Sequence, residues 1–313
     1  MLNIVEADIG IGETVAGFCN GSAGGNSIGL TSPWAIYISP CDGTLYVTSS
    51  SPAKVQAYPR FSRTGYLFRS SGLQNVFSIS GDSSNTIYMA DRIANNGAIF
   101  MQRGSVDMGS IPVSGISANS CSLNGIYHPV GVAVDRFGDV YLGMAECCIV
   151  MKWSLNATNG TIFAGQMGNG QITSDLLVSP SFIYLDEDRN ALYVTDRNSN
   201  RIQKFIIGGN GTGMTVAGNG TAGGELNQLN SPRGIWVSPD GQRLYIADAF
   251  NTRIMKWTIG DNQGSILIDN TNLTNGNSNS LLNNPIHVAL DPTETFVYIV
   301  DNGNHRVQRF RIR

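Results

Sequence analysis

Charge is scarce. Asp, Glu, Lys and Arg make up 14% of the 313 residues, against about 25% in an ordinary soluble domain. What charge there is nearly cancels, with 20 Lys+Arg against 23 Asp+Glu and a formal net of −3. Without a Lys/Arg-rich run there is no electrostatic basis for general binding to nucleic acid or to an anionic membrane. No apolar stretch approaches the ~18 residues of a membrane-crossing helix, so no membrane insertion is expected. Histidine occurs three times, at His128, His287 and His305, which leaves little material for a histidine-built metal centre. A Gly-x-Ser-x-Gly nucleophile motif does not occur. A sustained 3.6-residue apolar period is missing as well, which argues against long helices. The opening MLNIVEADIGIG has an early Glu and Asp and no basic stretch, unlike a secretion signal. On that count the chain is either cytoplasmic or a mature or trimmed form.

What is present is glycine, 37 residues of it, with 42% hydrophobic residues, a composition that fits a turn-rich sheet protein with a real core. Internal repetition organises the chain. Strands centred on Tyr46, Tyr88, Tyr141, Tyr193, Tyr245 and Tyr298 recur at intervals of 42 to 53 residues. A proline opens the apolar run before most of them, at Pro33, Pro129, Pro180, Pro232 and Pro285, while the second unit lacks it and reads LQNVFSIS from Leu73. A basic strand follows the tyrosine strand: NRIQKF at Asn200, TRIMKW at Thr252, HRVQRF at His305 and a weaker CIVMKW at Cys148. Gly/Asn-rich turns then lead to a fourth strand such as MTVAG. Four short strands joined by turn residues make a meander. Six such sheets stacked radially cover one another's faces. The expected fold is therefore all-β, one domain over 1–313, a six-bladed β-propeller of four-stranded antiparallel blades. The last unit ends on its third strand. ETVAG, Glu13 to Gly17, matches the fourth strands of other units, so it is expected to complete the sixth blade and close the ring.

The pattern P-x-G-[IV]-x-V, D-G-x-x-Y-[IV]-A-D and N-x-R-[IV]-x-[KR]-[FW] resembles the NHL repeat. The fifth unit carries it most fully, in Pro232 to Ile235, Asp240-Gly241, Tyr245 to Asp248 and Asn251 to Ile254. The first unit has Ser49-Ser50 where Asp is expected, and the second is degenerate throughout. The resemblance implies a six-bladed propeller, the same answer as the count. Within the repeat, Asp196/Arg201, Asp248/Arg253 and Asp301/Arg306 share a spacing of five. A device repeated blade by blade reads as a scaffold ion pair rather than a ligand contact.

Fold does not fix function. The first-strand entrances that would line the axis are Trp34-Ala35, Asn75-Val76, Val130-Gly131, Ser181-Phe182, Arg233-Gly234 and Ile286-His287. No carboxylate is among them, and a calcium lactonase-type site needs about 6–8 oxygen ligands. Resemblance also brings to mind the zinc-dependent amidating lyase, but a catalytic zinc wants about three protein ligands and only His128 and His287 fall near the axis. An RNA-binding propeller, the other relative, would want clustered basic residues with stacking aromatics. Here Lys152, Lys204, Lys256 and Arg309 are spread along third strands and only Arg233 sits at an entrance. Acids in the turns between first and second strands, Asp42, Asp82, Asp139, Asp186-Glu187-Asp188, Asp240 and Asp291, read as turn residues whose side chains bond nearby backbone.

The expectation is a non-enzymatic, extracellular interaction propeller without a cofactor, presenting a rigid disc to a protein or glycan, as a module of a larger chain or assembly. Its contact surface would be the face around Trp34, Tyr127, His128, Arg233 and His287. A metal-dependent enzyme of the amidating-lyase or hydrolase kind is the alternative, RNA binding a second one. Six N-x-[ST] sequons, at Asn20, Asn156, Asn159, Asn210, Asn219 and Asn272, are sites for glycans on exposed turns. Of five cysteines, Cys121 lies in the loop entering the third blade, and Cys147 and Cys148 lie between that blade's second and third strands. A bridge from Cys121 to Cys147 or Cys148 is expected. Cys19 and Cys41 fall on opposite faces and are left for inter-chain linkage or self-association.

Overall fold

A computed structural model describes residues 12–18, 20–24, 29–94, 97–110, 120–270 and 281–312. Its strands form six four-stranded antiparallel sheets. Blade one is Pro33–Ile38, Leu45–Ser50, Ala53–Tyr58 and Tyr66–Arg69. Blade two is Val76–Gly81, Thr86–Asp91, Ala98–Arg103 and Val106–Ser110. Gly131–Val134, Val140–Met144, Ile149–Trp153 and Thr161–Gly165 make blade three. Pro180–Asp186, Ala191–Asp196, Arg201–Ile206 and Met214–Ala217 make blade four. Blade five is Ile235–Val237, Arg243–Asp248, Arg253–Thr258 and Ser265–Ile268. Blade six takes Pro285–Leu290, Phe296–Asp301 and Arg306–Arg311, and its fourth strand is Glu13–Gly17. The ring closes where the sequence placed it, with Glu13 opposite Arg309 and Gly17 opposite Arg306. Among the described residues, no helix is long and apolar enough to cross a membrane.

Second strands are buried on both faces, completely so in TIYMAD and ALYVTD, because a blade's two faces are covered by its neighbours. That is why they read as continuous apolar runs rather than alternating ones. Six apolar clusters lie between successive blades; one joins Ile36, Val47 and Leu45 of blade one to Ile286, Val300 and Val307 of blade six. Fourth strands bend by a bulge before the apolar core ends, between Thr14 and Ala16 and likewise in blades three and four. The bulge delivers a glycine at positive φ, Gly17, Gly165 and Gly218. A Cβ there would stand 2.3–2.5 Å from the carbonyl oxygen of His305, Cys148 or Asn200, so the repeated Ala-Gly is a steric requirement.

The Asp/Arg pairs are scaffold, as their repetition implied. Each arginine meets its aspartate at 2.8–3.1 Å with both side chains nearly buried. Together they pin the loop arriving from the previous blade. Asp196 accepts from the Val178 and Ser179 amides, and Arg201 donates to the Leu176 carbonyl. Asp248 and Arg253 hold Asn230 and Gln228 in the same way, and Asp301 and Arg306 hold Asn283 and Leu281. In blade three the paired positions are Met144 and Ile149. There the arriving loop is pinned instead by a Cys121–Cys147 disulfide with Cα atoms 5.5 Å apart.

Candidate functional site

The first strands begin on one face, here the top, and the turns between second and third strands rise beside them. Inner strands approach so closely that a Cβ at Gly131 would lie 2.2 Å from the Ser181 carbonyl oxygen, and one at Gly234 would lie 2.6 Å from the His287 backbone. Blades four and six place side chains at this position, and Phe182 and His287 meet edge to face on the axis, 5.0 Å apart. His287 retains a sliver of exposed surface, yet protein surrounds it, and burial pushes its pKa down to about 3. Its Nδ1 has no hydrogen-bond partner among the described residues.

Register corrects one assignment. Val76 stands opposite Asp91 as Pro33 stands opposite Ser49. The entrance residue of blade two, expected at Asn75-Val76, is therefore Phe77. It packs on Trp34 of blade one, with ring centroids 4.0 Å apart. From blade five Arg233 lays its guanidinium over the Trp34 ring at 5.1 Å. The turns between second and third strands add two basic residues to those of the first-strand entrances. Arg92 and Arg197 each follow the aspartate that ends a second strand, Asp91 and Asp196. Arg92 lies 5.5 Å from the Phe77 centroid and forms an ion pair with Glu146. Glu146 also meets His128 Nδ1 at 2.8 Å, and the His128 ring stacks on Tyr127 at 4.1 Å. Burial works to raise the Glu146 carboxyl, but the hydrogen bonds from Arg92 and His128 hold it below the usual range. Trp34, Tyr127, His128 and Arg233 thus belong to one chain of contacts around the mouth, and His287 lies beneath it, against Gly234.

The other candidates fall elsewhere. His305 Nδ1 accepts the Ser32 amide at 3.0 Å and latches blade six to blade one. Among the described residues, no three His, Cys, Asp or Glu side chains gather as metal ligands. Asp82 and Asp291 hold their own turns, Asp82 accepting from Ser84 and Thr86 and Asp291 from Phe296, whereas Glu187 accepts from Arg136 of blade three and Asp139 from Lys152 and the Leu155 amide. Asn20, Asn156, Asn159, Asn210 and Asn219 are exposed. Asn272 and Cys19 lie outside the described residues. Cys41 is a free, exposed thiol. Cys148 is free and half-buried, with its Sγ 3.4 Å from the Val178 carbonyl, and burial raises its pKa.

Residues 177–205, the first three strands of blade four with the end of the preceding loop, match the NHL repeat. Among solved structures, the chain is similar to an auxiliary nutrient binding protein from Bacteroides thetaiotaomicron, at 14% identity and a TM-score of 0.70 over 96% of this chain and 75% of that one. It is similar to a chain of a nidogen/laminin complex at 15% identity, TM-score 0.59, over 76% and 80%. A virginiamycin B lyase from Staphylococcus aureus is similar at 15% identity, TM-score 0.55, over 90% and 95%. At such identities the likeness is one of fold. No curated protein sequence matches.

Proposed function

We propose that this NHL-repeat propeller is a non-enzymatic extracellular binding module whose top face, around the mouth of the axis, holds a protein or glycan partner. One observation carries the proposal: Tyr127, His128, Glu146, Arg92, Phe77, Trp34 and Arg233 form an unbroken chain of contacts there, while the scaffold pairs of the repeat are buried elsewhere. Aromatic and arginine side chains are the types that anchor interfaces. The compartment is supported by the Cys121–Cys147 bridge, since disulfides persist in oxidising surroundings. Five exposed sequon asparagines fit the same setting. Capture of a ligand on this fold has a parallel in the nutrient-binding protein of similar shape.

The test is a binding screen on arrayed neutral and acidic glycans and on extracellular matrix proteins, repeated with Y127A and R233A. Loss of an anchor is expected to weaken binding by tenfold or more, about 1.4 kcal/mol or above, with the melting temperature kept within a few degrees. Unchanged affinity in both variants would remove this face from consideration.

A further inference from the structure

The top of the axis carries a local charge imbalance that the scaffold does not use. Arg197 and Arg233 come from different blades, yet two side-chain hydrogen bonds tie their segments together. Thr195 Oγ1 donates to the Arg233 carbonyl at 2.6 Å, and Arg197 Nε donates to Ser231 Oγ at 2.9 Å. Each stitch joins one arginine to the residue two before the other, so both arginines are held at the blade four–five junction, near enough for the Arg197 charge to act on Arg233. Neither forms an ion pair with a described residue. The Arg233 guanidinium makes no hydrogen bond among the described residues, and its Nε is buried without a partner. Of the acids around them, Glu146 is occupied by Arg92 and His128, and Asp196 by Arg201. Burial, and then the neighbouring Arg197 charge, lower Arg233 to about 10, so it remains protonated at neutral pH. A buried donor without an acceptor, as at Arg233 Nε, costs roughly 1–3 kcal/mol, more for a charged group, and the neighbouring Arg197 charge adds to that cost.

We infer that Arg197 and Arg233 form the cradle for a single oxyanion group, a carboxylate, sulfate or phosphate, presented to the top of the axis, with Arg92 at its rim. Guanidinium forks match such groups in geometry as well as charge. The number of free cations argues for one group and against a polyanion. Two unneutralised guanidiniums balance one or two negative charges, whereas a nucleic-acid track requires a row of them. This inference rests on the binding role proposed above and names the chemistry that the site recognises.

Isothermal titration and thermal-shift measurements on the whole chain, at constant ionic strength in chloride, test it with sulfate, phosphate, D-glucuronate and a glucuronate-terminated disaccharide. D-Glucose serves as the neutral control. Sulfate or glucuronate is expected to raise the melting temperature where glucose does not, and R197Q to weaken the binding at least tenfold. R233K, which keeps the charge, retains part of the affinity that R233Q loses. Tighter binding of the disaccharide assigns the anion to a sugar, and equal binding of inorganic sulfate assigns it to a free ion; both sustain the cradle. Absence of any anion-specific shift overturns it, as does a shift that survives the R197Q/R233Q double substitution. A single-stranded RNA oligomer that binds at least tenfold tighter than sulfate through the same arginines overturns it too. Glycan or protein binding that persists in the double variant would leave the module's role standing and the anion cradle refuted. An anion bound with no glycan or protein partner found would do the reverse.

Discussion

At the scale of single residues, His287 is the most revealing position, because its neighbours forbid charge. An imidazole with an ordinary pKa near 6.5 in the unfolded chain is driven by burial to about 3 in the folded one. The unfolded state therefore binds more protons across that interval, and folding stability must fall as pH drops from about 6.5 toward 3. Above 6.5 both states are neutral here and the residue contributes no slope. Unfolding free energies from urea titrations at pH 7, 5.5 and 4 should show wild type losing up to ~1.4 kcal/mol per pH unit more than H287Q across the acid interval. Parallel curves for the two proteins would show that the imidazole is not held neutral on the axis. Gly234 beside it explains why the repeat's P-x-G carries glycine: the His287 backbone fills the space of a Cβ.

At the scale of the element, blade three shows how one fastening replaces another. Blades four, five and six hold the arriving loop with a buried aspartate and arginine; in blade three Met144 and Ile149 occupy those positions, and a disulfide spans the same gap. Closing a loop of 26 residues contributes roughly 3–4 kcal/mol in the chain-entropy account. Reductant should lower the unfolding free energy of wild type, measured by urea titration, by that amount and leave C121A unmoved. A wild-type midpoint indifferent to reductant would show the bridge to be idle. The blades themselves were legible in the sequence because proline, tyrosine and arginine recur at fixed offsets that mark each strand. Where a marker fails, so does the register: blade two has no proline, and Phe77 was passed over for Asn75-Val76. The choice of Cys147 over Cys148 was open because it is set by a turn. Cys148 takes the left-handed position closing that turn, φ 59°, and its thiol faces Val178 of blade four. Arg92 and Arg197 went unnoticed as mouth residues because they reach the axis from a different loop than the proline entrances, and proximity across blades has no signature along the chain.

At the scale of the whole molecule, an arginine contact crosses each junction between blades. Arg69 meets Asp107, Arg92 meets Glu146, Arg136 meets Glu187, Arg189 meets the Pro239 carbonyl, Arg243 meets Glu294, and Arg63 meets Glu13. The last of these depends on the strand that completes blade six. Deleting residues 1–17 should cost several kcal/mol of apolar burial, through Ala16 and Val15 in the closing cluster. It should also uncover Arg306–Arg311 as a raw sheet edge prone to pairing with another chain. Size-exclusion chromatography and thermal melting test both effects, and a monomer with an unchanged melting temperature would deny the strand its closing role. The pairing of Glu13 with Arg309 and of Gly17 with Arg306 has a mechanical consequence as well. Residues 12 and 312 leave from the same end of the seam, on the face opposite the mouth. Tension applied through them would peel the seam one hydrogen-bonded pair at a time instead of shearing all pairs together. A tether attached at either end would hold the disc from behind, with its mouth turned away, and the seam would be where it yields first under load.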